Sequence, residues 1–238
     1  MLVGDKATLA LAAGATVVAV AFAASLFERW LVRRRAHELA WSVALVFFAC
    51  GALSLWAGAA LGWDGWSFRL FYLFGAVVNV PFLALGTVEL LYPRQAPGVR
   101  VGVVLACTFA AGVILVAPFT APVGGTTVPQ GSDVFGPLPR VLAATYSSGG
   151  AAVVFGCAVA SALRLWRGRG PRRLAAGNAV IALGTAMLSM SGLLNSALGQ
   201  MRAFSVTLTA GVCVLFVGFV LASSPLRRRR TLKSVEAA

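Results

Sequence analysis

The stretch LFYLFGAVVNVPFLALGTVELLY, Leu70–Tyr92, decides the fold: among its 23 residues only Glu89 is charged. A helix needs about 20 predominantly apolar residues to cross roughly 30 Å of hydrocarbon. Six further stretches of the same kind lie on either side, at Ala7–Phe27, Leu39–Leu61, Val101–Phe119, Val141–Leu163, Leu174–Leu198 and Phe204–Ala222. The sequence therefore predicts an all-α, polytopic membrane bundle of seven transmembrane helices. It forms one domain over residues 1–238, with a basic cytoplasmic tail over 223–238.

The composition agrees. Of 238 residues 59% are apolar and 11% charged, with a mean hydropathy of +0.87. Soluble domains run about 45–50% apolar and about 25% charged. A cytosolic enzyme, a disordered regulator and a secreted disulfide scaffold are all excluded. The net charge of +13 would point to nucleic acid in a soluble protein. Here it sorts by side. With the N-terminus outside, 16 basic residues face inward and 4 outward, namely Lys6, Arg69, Arg140 and Arg202. The positive-inside rule fixes that orientation, puts the protein in the plasma (inner) membrane and leaves no nucleic-acid partner to invoke.

The first stretch is expected to stay as a span rather than be cleaved as a secretory signal. Its leading residues carry Asp5 and Lys6 with no net charge, and the basic cluster Arg29, Arg33, Arg34, Arg35 follows it. Trp30, Trp41, Trp63, Trp66 and Trp166 lie near span ends, as an interfacial belt requires. The Pro- and Gly-rich segment 120–140 reads as an irregular outer loop. Cys50, Cys107, Cys157 and Cys213 fall inside spans on different helices, which makes them packing residues rather than a disulfide framework.

Missing residues narrow the function. Lys6 and Lys233 are the only lysines and neither lies in a span, so no retinal Schiff base forms. One histidine, His37, cannot supply paired haem ligands. No zinc-ligand set, nucleophile elbow or phosphate loop is present. The expectation is no enzyme, with no catalytic residues, no metal and no cofactor.

The polar residues within spans are the candidates that remain. Asn79 sits near the midplane of the third span, with Pro81 two residues on, where a proline kinks the helix by failing to donate to the Val77 carbonyl. The Asn79 amide is either the compensating donor or a ligand contact at a broken helix. Tyr72, Gly75, Asn79, Leu83 and Gly86 share one helical face. Tyr146 and Ser147 open the fifth span; Asn178, Thr185, Ser189, Ser191 and Asn195 run along the sixth. One by one these are packing glue. Together they outline a polar, nearly uncharged interior for a neutral or amphipathic ligand. Glu89 either reaches the interface or pairs with Arg94 or Arg100, and Glu38, next to His37, is either part of a pH-sensitive pair or a helix-start acid against the local arginines. Arg227, Arg228, Arg229, Arg230 and Lys233 are placed to meet anionic lipid head groups at the inner face.

A three-plus-one-plus-three parallel repeat, with span four as connector, also fits. Arg34-Arg35 ahead of span two matches Arg172-Arg173 ahead of span six, and Arg69-x-Phe71 matches Arg202-x-Phe204.

The run from Arg35 to Trp41, with Arg69 to Ala76 and Leu85 to Thr87, resembles a family of uncharacterised seven-helix integral membrane proteins of high-GC, actinobacterial-type bacteria. No activity is known for that family, so the resemblance implies membrane location alone. Three roles stay open: a carrier or binder of a small amphipathic molecule or lipid, an accessory subunit of another membrane protein or a homo-oligomer, and a sensor that signals to a cytoplasmic partner.

Overall fold

A computed structural model describes residues 3–168, 172–198 and 201–223 of the chain. These residues are predominantly helical, without a strand among them; one isolated bridge joins Phe119 to Phe135. The helices are α1 (Val3–Arg33), α2 (Ala36–Leu61), α3 (Gly65–Tyr72), a π-helical segment (Leu73–Val78), α4 (Asn79–Leu91), α5 (Ala96–Val116), α6 (Gly131–Val134), α7 (Pro137–Arg167), α8 (Arg172–Leu198) and α9 (Met201–Ser223). Five stretches among the described residues are long and apolar enough to cross a membrane: Leu9–Arg33, Ala36–Leu61, Gly65–Leu91, Ala96–Val116 and Pro137–Arg167. That is the mark of a multi-pass membrane protein.

Most helices run several residues past the hydropathic stretches. Hydropathy registers the hydrocarbon layer, whereas a helix continues into the polar layer until its caps end it. The third rod starts at Gly65 because Asp64 caps it: the carboxylate accepts from Ser67 N–H at 2.8 Å, and the Ser67 hydroxyl accepts from Asp64 N–H at 3.0 Å. Those bonds from Ser67 hold the Asp64 carboxyl below its ordinary pKa. The fourth rod instead ends early, at Val116. Pro118 forces Ala117 to an extended ψ of 131°, and the expected span to Phe119 is cut short. Between α1 and α2 the chain reverses through Arg34 at a left-handed φ of 52°. Its N–H bonds to the Trp30 carbonyl at 2.7 Å, and its guanidinium lies 4.8 Å from the centre of the Trp30 ring.

Neighbouring rods pack in a closed ring: α1 on α2, α2 on the α3–π–α4 rod, α4 on α7, α7 on α8, α8 on α9, and α9 back on α1. The α5 rod stands outside, against α4 and the π segment and only lightly against α7. Small residues set the closest crossings. A Cβ on Gly51 of α2 would fall 2.8 Å from the Gly75 nitrogen, and one on Gly184 of α8 would fall 2.8 Å from the Leu215 nitrogen. Backbone meets backbone there, the usual device for joining helices in lipid.

The two ends of the ring differ. Arg29, Arg33 to Arg35, Arg94, Arg100, Arg164 and Arg167 gather at one, the basic end. At the other, residues 117–136 fold over α3. Phe68, Phe135, Val134 and Trp63 are buried there, with Phe119 and Tyr72 partly covered. Trp63, at 4% exposure, and Trp41, at 8%, are core residues rather than members of an interfacial belt. Trp66 and Trp166 are exposed, as the belt requires. An indole is amphipathic and packs inside as readily as at an interface, so position near a span end does not separate the two.

Candidate functional site

The third rod carries the main departure from regular helix. Pro81 has no N–H to offer the Val77 carbonyl, and the six residues from Leu73 to Val78 widen into π geometry just before it. The polar groups freed nearby find partners from two sources. The Ser147 hydroxyl of α7 donates to the Ala76 carbonyl at 2.5 Å, and the Val80 N–H donates to the Asn79 side-chain oxygen at 2.7 Å. Asn79 is thus an acceptor for the next peptide N–H, not the donor the sequence suggested. It lies buried at 5% exposure. In an apolar core each such replacement is worth making, because an unsatisfied backbone group costs about 1–3 kcal/mol.

The expected face of this rod is a packing seam. Gly75 touches Gly51, Gly86 lies under the Trp41 ring, and Trp41 Nε1 donates to the Leu83 carbonyl at 3.1 Å, all from α2. Tyr72 falls at the far end, between Phe68 and Phe135. Tyr146 donates to the Ala106 carbonyl of α5 at 3.0 Å. Asn178 donates to the Ser161 hydroxyl across the α7–α8 seam at 2.8 Å, and the Thr185 hydroxyl bonds to the Ile181 carbonyl of its own helix at 2.9 Å. These six candidates find separate partners, some across seams and some on their own helices, and do not converge on a single chamber. The side chains of Ser189, Ser191 and Asn195, and residues Arg227 to Arg230 with Lys233, lie outside the described part.

What the polar residues do build is a groove. Adjacent α7 residues reach in two directions, Tyr146 to α5 and Ser147 to the π segment. Beside them α5 stands away from α7. The gap is an open groove of about 240 Å³ between Pro81, Leu85 and Val88 of α4, Val103 and Cys107 of α5, and Gly149 of α7. Its walls are apolar. The Thr145 hydroxyl bonds back to the Val141 carbonyl at 2.8 Å, so the polar groups on the wall are already engaged. Gly150 fixes the depth: a Cβ there would fall 3.0 Å from the Val80 carbonyl. Gly149, with nothing within 4 Å of its Cβ position, leaves the opening. This geometry can hold a hydrocarbon segment.

Two ion pairs frame the basic end. Arg100 places Nη2 at 2.6 Å and Nε at 2.8 Å from one oxygen of Glu89, resolving the choice between Arg94 and Arg100. Arg29 places Nη2 at 3.1 Å from Glu38, whose side chain is fully buried although it sits in the first turn of α2. In each carboxylate the second oxygen is buried without a hydrogen bond. At the opposite end Arg69 donates to the Ile114 carbonyl and, at 2.7 Å, to the Ala117 carbonyl, and lies 4.2 Å from the centre of the Phe119 ring. It closes the carbonyl end of α5, where a cation is favoured. Sequence reading missed that role: the signal was a lone arginine among the aromatics that open the rod.

No family model, curated protein or solved structure matches this chain. The site must be read from its own geometry.

If Asn79 and Ser147 act only on the π break, their removal is a stability effect. Asn79→Leu and Ser147→Ala are each expected to cost about 1–3 kcal/mol in thermal or denaturant unfolding in detergent. Because both serve one break, the double variant should lose less than the sum of the two. Full additivity would separate the two bonds.

Proposed function

We propose that the chain is a seven-span plasma-membrane protein that binds or carries an amphipathic small molecule or lipid without performing chemistry on it. The groove between α4, α5 and α7 carries this reading. It is apolar and glycine-floored, and the hydroxyls beside it are engaged in the helices. The ligand thus sits between rods rather than in a shared polar interior. Gly149→Leu tests the reading. Its Cβ meets nothing within 4 Å, so the side chain enters at the opening, and it replaces a helix-interior glycine, so folding should hold. Native mass spectrometry of the purified protein should show one co-purifying lipid or metabolite fewer in the variant. An unchanged bound complement would sink the groove.

We also propose the N-terminus outside and the C-terminus in the cytoplasm, with α8 and α9 as the sixth and seventh spans. The 16 to 4 partition of basic residues supports this. Fusions after Arg100 and after Arg230 should fluoresce as cytoplasmic GFP and be inactive as periplasmic alkaline phosphatase. Phosphatase activity at either point overturns the orientation.

The three-plus-one-plus-three repeat gains support from equivalent seams. In the first half the Ser42 hydroxyl donates to the Ala23 carbonyl at 2.9 Å, and in the second Asn178 donates to Ser161. Gly51 crosses at Gly75 as Gly184 crosses at Leu215 and Gly211. The ring order, with α5 outside it, is the one such a repeat produces. The family resemblance adds nothing on activity.

A further inference from the structure

We infer that the groove selects an anionic phospholipid, with one acyl chain between α4, α5 and α7 and the phosphodiester at Arg100 and Arg94; this rests on the groove reading above. Val88 and Val99 form the basic-end rim of the groove. The residues that follow them, Glu89 and Arg100, are the ion pair. Both Arg100 nitrogens in that pair engage the same carboxylate oxygen. Nη1 therefore has no protein partner among the described residues, and the side chain is 50% exposed. Glu89, 3% exposed at its side chain, acts as a positioning residue: it holds the guanidinium at the rim. Arg94 lies exposed in the short turn between α4 and α5. Residues 89–100 carry two arginines against one carboxylate that is already paired, so the segment that joins α4 to α5 beyond the rim is net positive.

The remaining geometry fits a lipid rather than a free anion. A soluble phosphate would gain only the exposed arginines. A phospholipid gains the same contact together with burial of its chain along Val103, Leu85 and Pro81 toward Cys107. Phosphatidylglycerol and phosphatidylcholine carry the same phosphate, but choline cancels the charge. Each basic residue near an anionic surface is worth about 1 kcal/mol, or about fivefold in binding.

The test is native mass spectrometry of the whole protein after equilibration with detergent micelles holding equal phosphatidylglycerol and phosphatidylcholine. The wild type should retain phosphatidylglycerol over phosphatidylcholine by about fivefold or more. Arg94→Gln should lower that ratio at least twofold. The triple variant Arg94→Gln/Glu89→Gln/Arg100→Gln, which leaves no buried carboxylate unpaired, should bring it to unity while the number of bound lipids stays the same. Gly149→Leu should remove one bound lipid of either kind. Equal retention in the wild type overturns the head-group inference, and so does a triple variant that keeps the preference. The groove reading survives both results if Gly149→Leu still loses a lipid. A phosphatidylglycerol preference and a bound-lipid count that Gly149→Leu leaves untouched together overturn both readings.

Discussion

Gly51→Val is expected to abolish recovery of monodisperse protein, and Gly51→Ala to lower the unfolding midpoint sharply. The reason lies in what a Cβ would meet. At Gly51 it would sit 2.8 Å from the Gly75 nitrogen and 2.9 Å from the Gly75 Cα, both backbone atoms that no rotamer change can move. Overpacking of a tight core costs about 1–3 kcal/mol, occasionally more, and a rigid neighbour places this site at the upper end. Separating the rods also strains the Trp41 bond to the Leu83 carbonyl, because the same two helices carry it. Gly184→Ala should behave alike, with its Cβ position 2.8 Å from the Leu215 nitrogen. Gly14 of α1 is the control. Nothing lies within 4 Å of its Cβ position, so Gly14→Ala should be neutral or gain up to about 1 kcal/mol from helix propensity. Thermal unfolding in a mild detergent, followed by size-exclusion chromatography, reads all four. A Gly51→Ala midpoint within a degree of wild type would mean that α2 and the third rod do not cross backbone to backbone.

Such crossings show what the sequence made legible. A run of 23 residues with one charge can only be a span, and hydropathy located that rod to within a few residues at each end. Pro81 announced a broken hydrogen bond, and the π segment lies directly before it. Gly51 and Gly184, in the middle of spans, are where the rods pack closest. Hydrogen-bond direction was beyond reach. Periodicity placed Asn79 on a face, but not that its side-chain oxygen accepts from the next N–H while Ser147, 68 positions along the chain, donates to the Ala76 carbonyl. The polar candidates were collected into one interior for the same reason. Tyr146, Ser147 and Asn178 each bond to a different neighbouring rod, and the ring order that supplies those partners is a long-range property; Asn79 and Thr185 bond within their own helices. The groove is less legible still. It arises from the absence of side chains at Gly149 and from α5 standing off, neither of which has a pattern in one dimension.

The burial of Glu38 was likewise invisible, and it leads to the second large effect. Arg29→Met is expected to destabilise the protein more than Glu38→Gln does, although each removes the same ion pair. The asymmetry follows from exposure. The Glu38 side chain is 0% exposed and the Arg29 side chain 30%. Removing the arginine strands a carboxylate beneath α2 with no cation and one oxygen already lacking a hydrogen bond. Breaking a buried pair in that direction costs about 3–5 kcal/mol. Removing the carboxylate leaves a guanidinium that can turn toward water on its long stem, so Glu38→Gln should cost about half as much or less. Leu26, Trp41 and Leu45 are buried on the same two helices, and the charged and titratable groups beside the pair are Arg35 and His37. The double variant Arg29→Met/Glu38→Leu should therefore recover most of the loss and come within about 1–2 kcal/mol of wild type, since apolar residues of similar volume commonly replace a buried pair without net cost. Unfolding midpoints of the two single variants and the double close the cycle. Equal losses in the single variants, or a larger loss for Glu38→Gln, would mean that the carboxylate reaches water by another route. A double variant as unstable as Arg29→Met would show that α1 and α2 need the charge itself, rather than only its neutralisation, to close their two-residue turn.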